Sequence, residues 1–170
     1  MKLRDQTGIM LLLFCWNAYC ADSVNVGVTG NIVASPCLFN GGNNALDINL
    51  GNIQATNMVT PGSSSAPVPF ILQFTQCPSG TRSVTVTFTG SPDPAAGTNY
   101  YKNSGSAARV AVAMRDAGTG MLKGTGSSMT QTVGADRTAT MAMQASVKSL
   151  AGGATPGSIS AVVMMTMQYN

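Results

Sequence analysis

The stretch Gly157-Ser-Ile-Ser-Ala-Val-Val-Met-Met-Thr-Met-Gln-Tyr-Asn170 decides the fold. Ile159, Ala161, Val163, Met165, Met167 and Tyr169 alternate with Ser158, Ser160, Val162, Met164, Thr166 and Gln168. Successive side chains of a strand point to opposite faces, so the pattern predicts one long strand over 159–169 with a fully apolar face. The sequence ends there, and no later segment is expected to pair with this strand. A second alternating run stands near the other end: Val24, Val26, Val28, Gly30 and Ile32. An apolar strand at each end of a small all-β chain points to a fold completed between molecules.

Between the two ends, nearly every apolar run has the same period. Leu46, Ile48 and Leu50 alternate with Asp47 and Asn49. Val68, Phe70, Leu72 and Phe74 lead into Cys77, and Val84, Val86 and Phe88 alternate with threonines. Val110, Val112 and Met114 form a further run, as do Ala139, Met141, Met143, Ala145 and Val147. Turn signals bound them, among them Asn40-Gly-Gly-Asn43, Pro78-Ser-Gly80 and Gly152-Gly153. Residues 54–66 are polar and serine-rich and read as a loop. Pro67 and Pro69 are expected to delay regular pairing to about Phe70, because proline donates no ladder hydrogen bond. No helical period of eleven residues is found. Many short strands separated by turns predict an immunoglobulin-like β-sandwich.

Residues 1–20 read as a secretory signal. Lys2 and Arg4 precede an apolar core from Ile9 to Phe14, and Ala18-Tyr-Cys20 places small residues before a cut ahead of Ala21. No other segment is long and apolar enough to span a membrane. Cys15 and Cys20 would leave with the signal, so Cys37 and Cys77 remain. Two cysteines in an exported chain most simply form one disulfide.

The remaining charges are sparse. Arg82, Lys102, Arg109, Arg115, Lys123, Arg137 and Lys148 stand against Asp22, Asp47, Asp93, Asp116 and Asp136, a balance of +2 with no basic run. Nucleic acid binding needs clustered cations, so it is excluded as a reading. The chain has no histidine and no glutamate, which removes the usual general bases and metal ligands. No catalytic site, metal site or cofactor is assigned, and the chain is not read as an enzyme. Met141, Met143, Met164, Met165 and Met167 offer thioethers, which favour soft Cu(I). Four of them fall on apolar strand faces, where methionine fills core gaps, and only Met164 falls opposite. Tyr100-Tyr101 is the one exposed aromatic candidate for a carbohydrate contact, and it reads more simply as packing over the end of the sandwich.

Gly157 fourteenth from the end, Tyr169 penultimate, Cys37 and Cys77 about forty residues apart, and an alternating N-terminal extension occur together. In this combination the chain resembles the pilin subunits of chaperone–usher fimbriae. Ala34-Ser-Pro-Cys37, Asn99-Tyr-Tyr-Lys-Asn103 and Gly152-Gly-Ala-Thr-Pro-Gly-Ser-Ile159 carry a likeness to minor tip subunits of type 1 fimbriae. The resemblance implies an incomplete immunoglobulin-like sandwich that lacks its final strand and is completed by donor-strand complementation. It implies a signal peptide over 1–20, a donor-strand extension over 21–33 and a pilin domain over 34–170. The donor face would be Val24, Val26, Val28, Gly30 and Ile32. The acceptor groove would be edged by Gly157, Ile159, Ala161, Val163, Met165, Met167, Tyr169 and Asn170. On the same resemblance, a periplasmic chaperone is expected to lend a strand first and to anchor the carboxylate of Asn170. An outer-membrane usher and neighbouring subunits, among them an adhesin, are the further partners. The implied destination is a fimbria on the cell surface. The alternative function is a single-domain adhesin that binds glycan or protein through loops such as 99–103.

Overall fold

The period-two runs become strands in the computed structural model, which describes residues 23–32 and 36–170. The signal reading of 1–20, and the parts of the extension at 21–22 and 33, lie outside the described residues. The chain divides into two units, Met1–Ile32 and Val33–Asn170. In the first, residues 23–32 carry no assigned strand and are all exposed.

In the second unit the strands are β1 (Leu38–Phe39), β2 (Ser63–Ser64), β3 (Val68–Thr75), β4 (Ser83–Gly90), β5 (Pro92–Asp93), β6 (Gly97–Lys102), β7 (Ala111–Asp116), β8 (Ser128–Thr132), β9 (Ala139–Ser149) and β10 (Val163–Tyr169). One sheet runs β1-β3-β9-β7-β6-β5, with β2 also paired to β9. The other runs β10-β4-β8. Every pairing is antiparallel. The inward residues of both sheets share one core: Leu72 and Phe74 of β3, Met141 and Met143 of β9, and Val84, Val86 and Phe88 of β4. All seven are fully buried. Each such side chain contributes about 1.5–3 kcal/mol on leaving water. Met141 and Met143 are thus spent on packing.

Tyr101 closes one end of the sandwich. Its hydroxyl donates to the Lys123 carbonyl at 2.8 Å, and Lys123 Nζ donates to the Ser128 carbonyl at 3.1 Å. That chain ties β6 of the first sheet to β8 of the second. Burial pushes the Tyr101 phenol up to about 12.

Cys37 and Cys77 are bonded, with Cα atoms 4.2 Å apart. Both are buried. The bond pins the residue before β1 to the segment after β3, beside the Phe39–Phe74 ring pair at 5.3 Å. It closes a loop with a sequence separation of 40. Constraining a loop of that length in the unfolded chain stabilises by about 4 kcal/mol in the chain-entropy model. Replacing both cysteines by alanine is expected to remove about that much, read as a lower urea midpoint. Alkylation of the unreduced protein followed by mass spectrometry should label neither residue.

Several sequence expectations need correction. β3 starts at Val68, and Pro69 sits in register opposite Gln144. The prolines are tolerated because β1 pairs only Phe74 and Thr75, so among the described residues the rest of that edge of β3 has no strand partner. Residues 54–66 are not all loop: they hold a 3-10 turn, Ala55–Met58, and β2. Met58 anchors that turn in a second small core with Val110 and Val147. Residues 99–102 belong to β6 rather than to a loop. The run at Leu46, Ile48 and Leu50 keeps its alternation but is assigned to no strand. The terminal ladder covers Val163–Tyr169 only, not 159–169.

Candidate functional site

β10 pairs with β4 over seven residues, from Val163 opposite Gly90 to Tyr169 opposite Val84. Among the described residues its other edge has no strand partner. Facing that side is the run 46–53, which belongs to no strand and carries a left-handed Gly51 at φ 70°. Among the described residues, the only backbone hydrogen bond made by 44–53 is from Gly51 N–H to Asn49 Oδ1, at 2.9 Å. Two backbone edges without a strand partner among the described residues therefore border a gap.

The gap is a groove of about 600 Å³. One wall is the run 46–53, with Leu46, Ile48, Leu50 and Ile53 half-buried. The other wall holds Ile159, Ala161, Val163 and Met165. Phe70 of β3, Val112 and Met114 of β7, and Ala145 of β9 form the floor. No charged side chain other than Asp47 lines it, and Asp47 is exposed. Its polar side chains are those of Asp47, Asn49, Asn52, Ser158 and Ser160, and the rest of the lining is apolar or glycine. Its shape and chemistry suit an extended segment that alternates apolar side chains.

Of the residues named from sequence, Gly157, Ile159, Ala161, Val163 and Met165 line the groove. Met167 and Tyr169 continue the same face beyond it and pack half-buried on the core. Tyr169 is close to Met167, its hydroxyl 3.5 Å from the sulfur, and burial raises its phenol above the ordinary value. Asn170 is held by β4: its N–H donates to the Ser83 carbonyl at 3.0 Å. Met164 is 69% exposed on the opposite face, away from Met165 and Met167. In the first unit Val24, Val26, Val28 and Ile32 are each at least 80% exposed, an apolar stripe open to water.

Sequence reasoning missed the second wall and the floor. The alternation of Leu46, Ile48 and Leu50 signalled a strand-like segment, but nothing local said that its partner edge was vacant. Val112, Met114 and Ala145 read as core residues, and only the register of β7 on β9 brings them under the gap.

A family model described as "Fimbrial protein" matches residues 26–170. The chain belongs to the fimbrial protein family. This fimbrial subunit is 34% identical over 151 residues to Protein FimG of Escherichia coli (strain K12), covering 88% of this chain and 87% of FimG. It is 32% identical over 155 residues to the S-fimbrial adhesin protein SfaS of Escherichia coli O6:K15:H31 (strain 536 / UPEC), covering 89% of this chain and 90% of SfaS. A solved chaperone–usher pilus subunit superposes with a TM-score of 0.66 at 20% identity, covering 88% of this chain and 96% of that one. The fold is therefore the immunoglobulin-like pilin sandwich. The fimbrial subunit is a structural component of a pilus exported to the cell surface.

Proposed function

We propose that the groove accepts a β-strand from another molecule and that residues 21–33 of this chain serve as that strand for the next subunit. A periplasmic chaperone fills the groove first, an outer-membrane usher organises the exchange, and a neighbouring extension replaces the chaperone. The acceptor edge is Gly157, Ile159, Ala161, Val163, Met165, Met167, Tyr169 and Asn170. The donor face is Val24, Val26, Val28, Gly30 and Ile32. Residues 1–20 direct export and are removed. The subunit takes a minor or tip position that supports adhesion, and no catalysis enters this reading.

The observation that carries the proposal is the pair of backbone edges, without a strand partner among the described residues, that flank a largely apolar groove. An inserted strand would meet backbone hydrogen bonds on both sides and alternating apolar contacts below. Burying three valines and one isoleucine at ~1.5–3 kcal/mol each gives roughly 6–12 kcal/mol before ordering costs. The adhesin reading keeps support from the likeness to SfaS, but the loop it rested on is largely strand β6.

Fusing a copy of residues 22–33 to the C-terminus through a flexible linker tests the proposal. Insertion becomes intramolecular, so effective concentration replaces diffusion. The fusion should be monomeric and unfold at a midpoint higher by roughly 10 °C or more, since each 1 kcal/mol shifts a domain of this size by about 2–8 °C. A parent chain that is already a stable monomer, unchanged by the added strand, would refute it.

A further inference from the structure

The groove wall has an unusual support. Residues 157–162 precede the β10 ladder and belong to no strand. Their hydrogen bonds go to a single loop, 103–107. Ser104 N–H donates to the Ser160 carbonyl at 2.8 Å, and Ala107 N–H donates to the Ser158 carbonyl at 3.0 Å. Ser158 N–H donates to Ser106 Oγ at 2.9 Å. Ser160 N–H donates to Asn103 Oδ1 at 2.8 Å.

Asn103 sits at the centre of this clasp. The same Oδ1 accepts from Gly105 N–H at 3.0 Å, and Nδ2 donates to the Ala107 carbonyl at 2.7 Å. One amide thus folds the loop on itself and holds the wall. Both segments need glycine to come this close. A Cβ on Gly105 would overlap the Ser158 carbonyl, and one on Gly157 would overlap the Ala107 backbone nitrogen. The alternation explains the division of labour. All four residues 158–161 border the groove, but Ser158 and Ser160 are exposed and engaged with the clasp, while Ile159 and Ala161 are half-buried and supply its apolar side chains.

We propose that Asn103 is a positioning residue for strand capture: by holding the backbone of Ser158 and Ser160, it fixes the Ile159 and Ala161 wall and sets how tightly one end of the inserted strand is gripped. The inference rests on the reading of the groove as a strand acceptor. β10 itself is secured by its seven-residue pairing with β4. Loss of the clasp therefore acts on the groove end and leaves the sandwich standing.

The test is a double-mutant cycle in the fusion that carries an appended copy of residues 22–33. Asn103→Ala is combined with Val24→Ser or Ile32→Ser, each placed in the appended copy, at opposite ends of the donor. Coupling between changes in contact appears as non-additivity, and independent sites add. Asn103→Ala alone should lower the unfolding midpoint by about 5 °C or more. That loss should shrink by at least half beside one of the two donor-end changes and persist beside the other. Asn103→Asp keeps an acceptor for the Ser160 and Gly105 N–H groups, so it should restore part of the midpoint and show the same one-ended coupling more weakly. Because the Asp variant keeps those bonds, it runs the cycle even where the Ala variant does not fold. Equal losses beside both donor-end changes would make Asn103 a purely structural residue and overturn the proposal. If the unmodified fusion is no more stable than the parent chain, the strand-acceptor reading falls, and this one with it. If that fusion is stabilised but coupling is absent, the clasp proposal alone falls.

Discussion

Deletion of residues 163–170 is expected to abolish folding outright and with it capture by a chaperone. These residues are β10 and the Asn170 that follows it, and they form seven register pairs with β4. Val163, Met165, Met167 and Tyr169 pack on the core from this strand. At ~1.5–3 kcal/mol for each fully buried side chain, and less for half-buried ones, their loss approaches 5 kcal/mol or more. Domains of this size hold only about 5–15 kcal/mol in total. The deletion also bares the β4 edge and uncovers Val84, Val86 and Phe88, which are fully buried in the intact chain. An exposed edge beside apolar surface invites aggregation. The measurement is recovery of soluble protein on co-expression with a fimbrial chaperone, followed by circular dichroism. A truncated chain that is soluble, bound to chaperone and cooperatively folded would show that β10 is dispensable.

The parts of this fold that could be read from sequence are those whose pattern is local. β3, β4, β9 and β10 each present an apolar residue at every second position, and each became a strand. The disulfide was legible because only Cys37 and Cys77 lie outside the segment whose sequence reads as a leader. β8 was not legible: Ser128-Met-Thr-Gln-Thr132 has a single apolar residue, and it is held by its five-residue pairing with β4 rather than by its own pattern. β6 was hidden for a similar reason, since Gly97 and Asn99 are typical of turns. The terminal strand was read as too long because alternation continues through Ser158 and Ser160. What interrupts the ladder there is the loop at Asn103, about 55 residues earlier in sequence. The same limit applies to the groove. Half of it was visible as the apolar face of 159–169. The other half depends on the run 46–53 lying opposite with no strand partner among the described residues, which is a property of topology and not of any local pattern.

The extension offers the sharpest separation of assembly from folding. Val26→Asp or Val28→Asp is expected to leave the subunit folded and to stop it donating its strand. In the described structure both valines are more than 80% exposed, so a charge there meets water and costs the subunit itself nothing. Inside the groove of the next subunit the same carboxylate would sit among apolar side chains with no cation to pair with it. Burying such a charge unpaired costs several kcal/mol. Every 1.4 kcal/mol is tenfold in affinity, so a penalty of about 4 kcal/mol reduces strand insertion roughly a thousandfold. Parity supplies the control. Thr29 lies on the opposite face of the extension from Val26 and Val28. Thr29→Asp should leave the charge in water after insertion and cost less than about tenfold. Fibre formation by purified chaperone–subunit complexes, with intact melting of each complex as the folding check, measures all three variants side by side. The contrast between the two faces is what identifies a strand buried on one side. If Val28→Asp polymerises like the parent, residues 21–33 do not fill the groove. If Thr29→Asp is as damaging as Val28→Asp, the extension docks in some form other than an alternating strand.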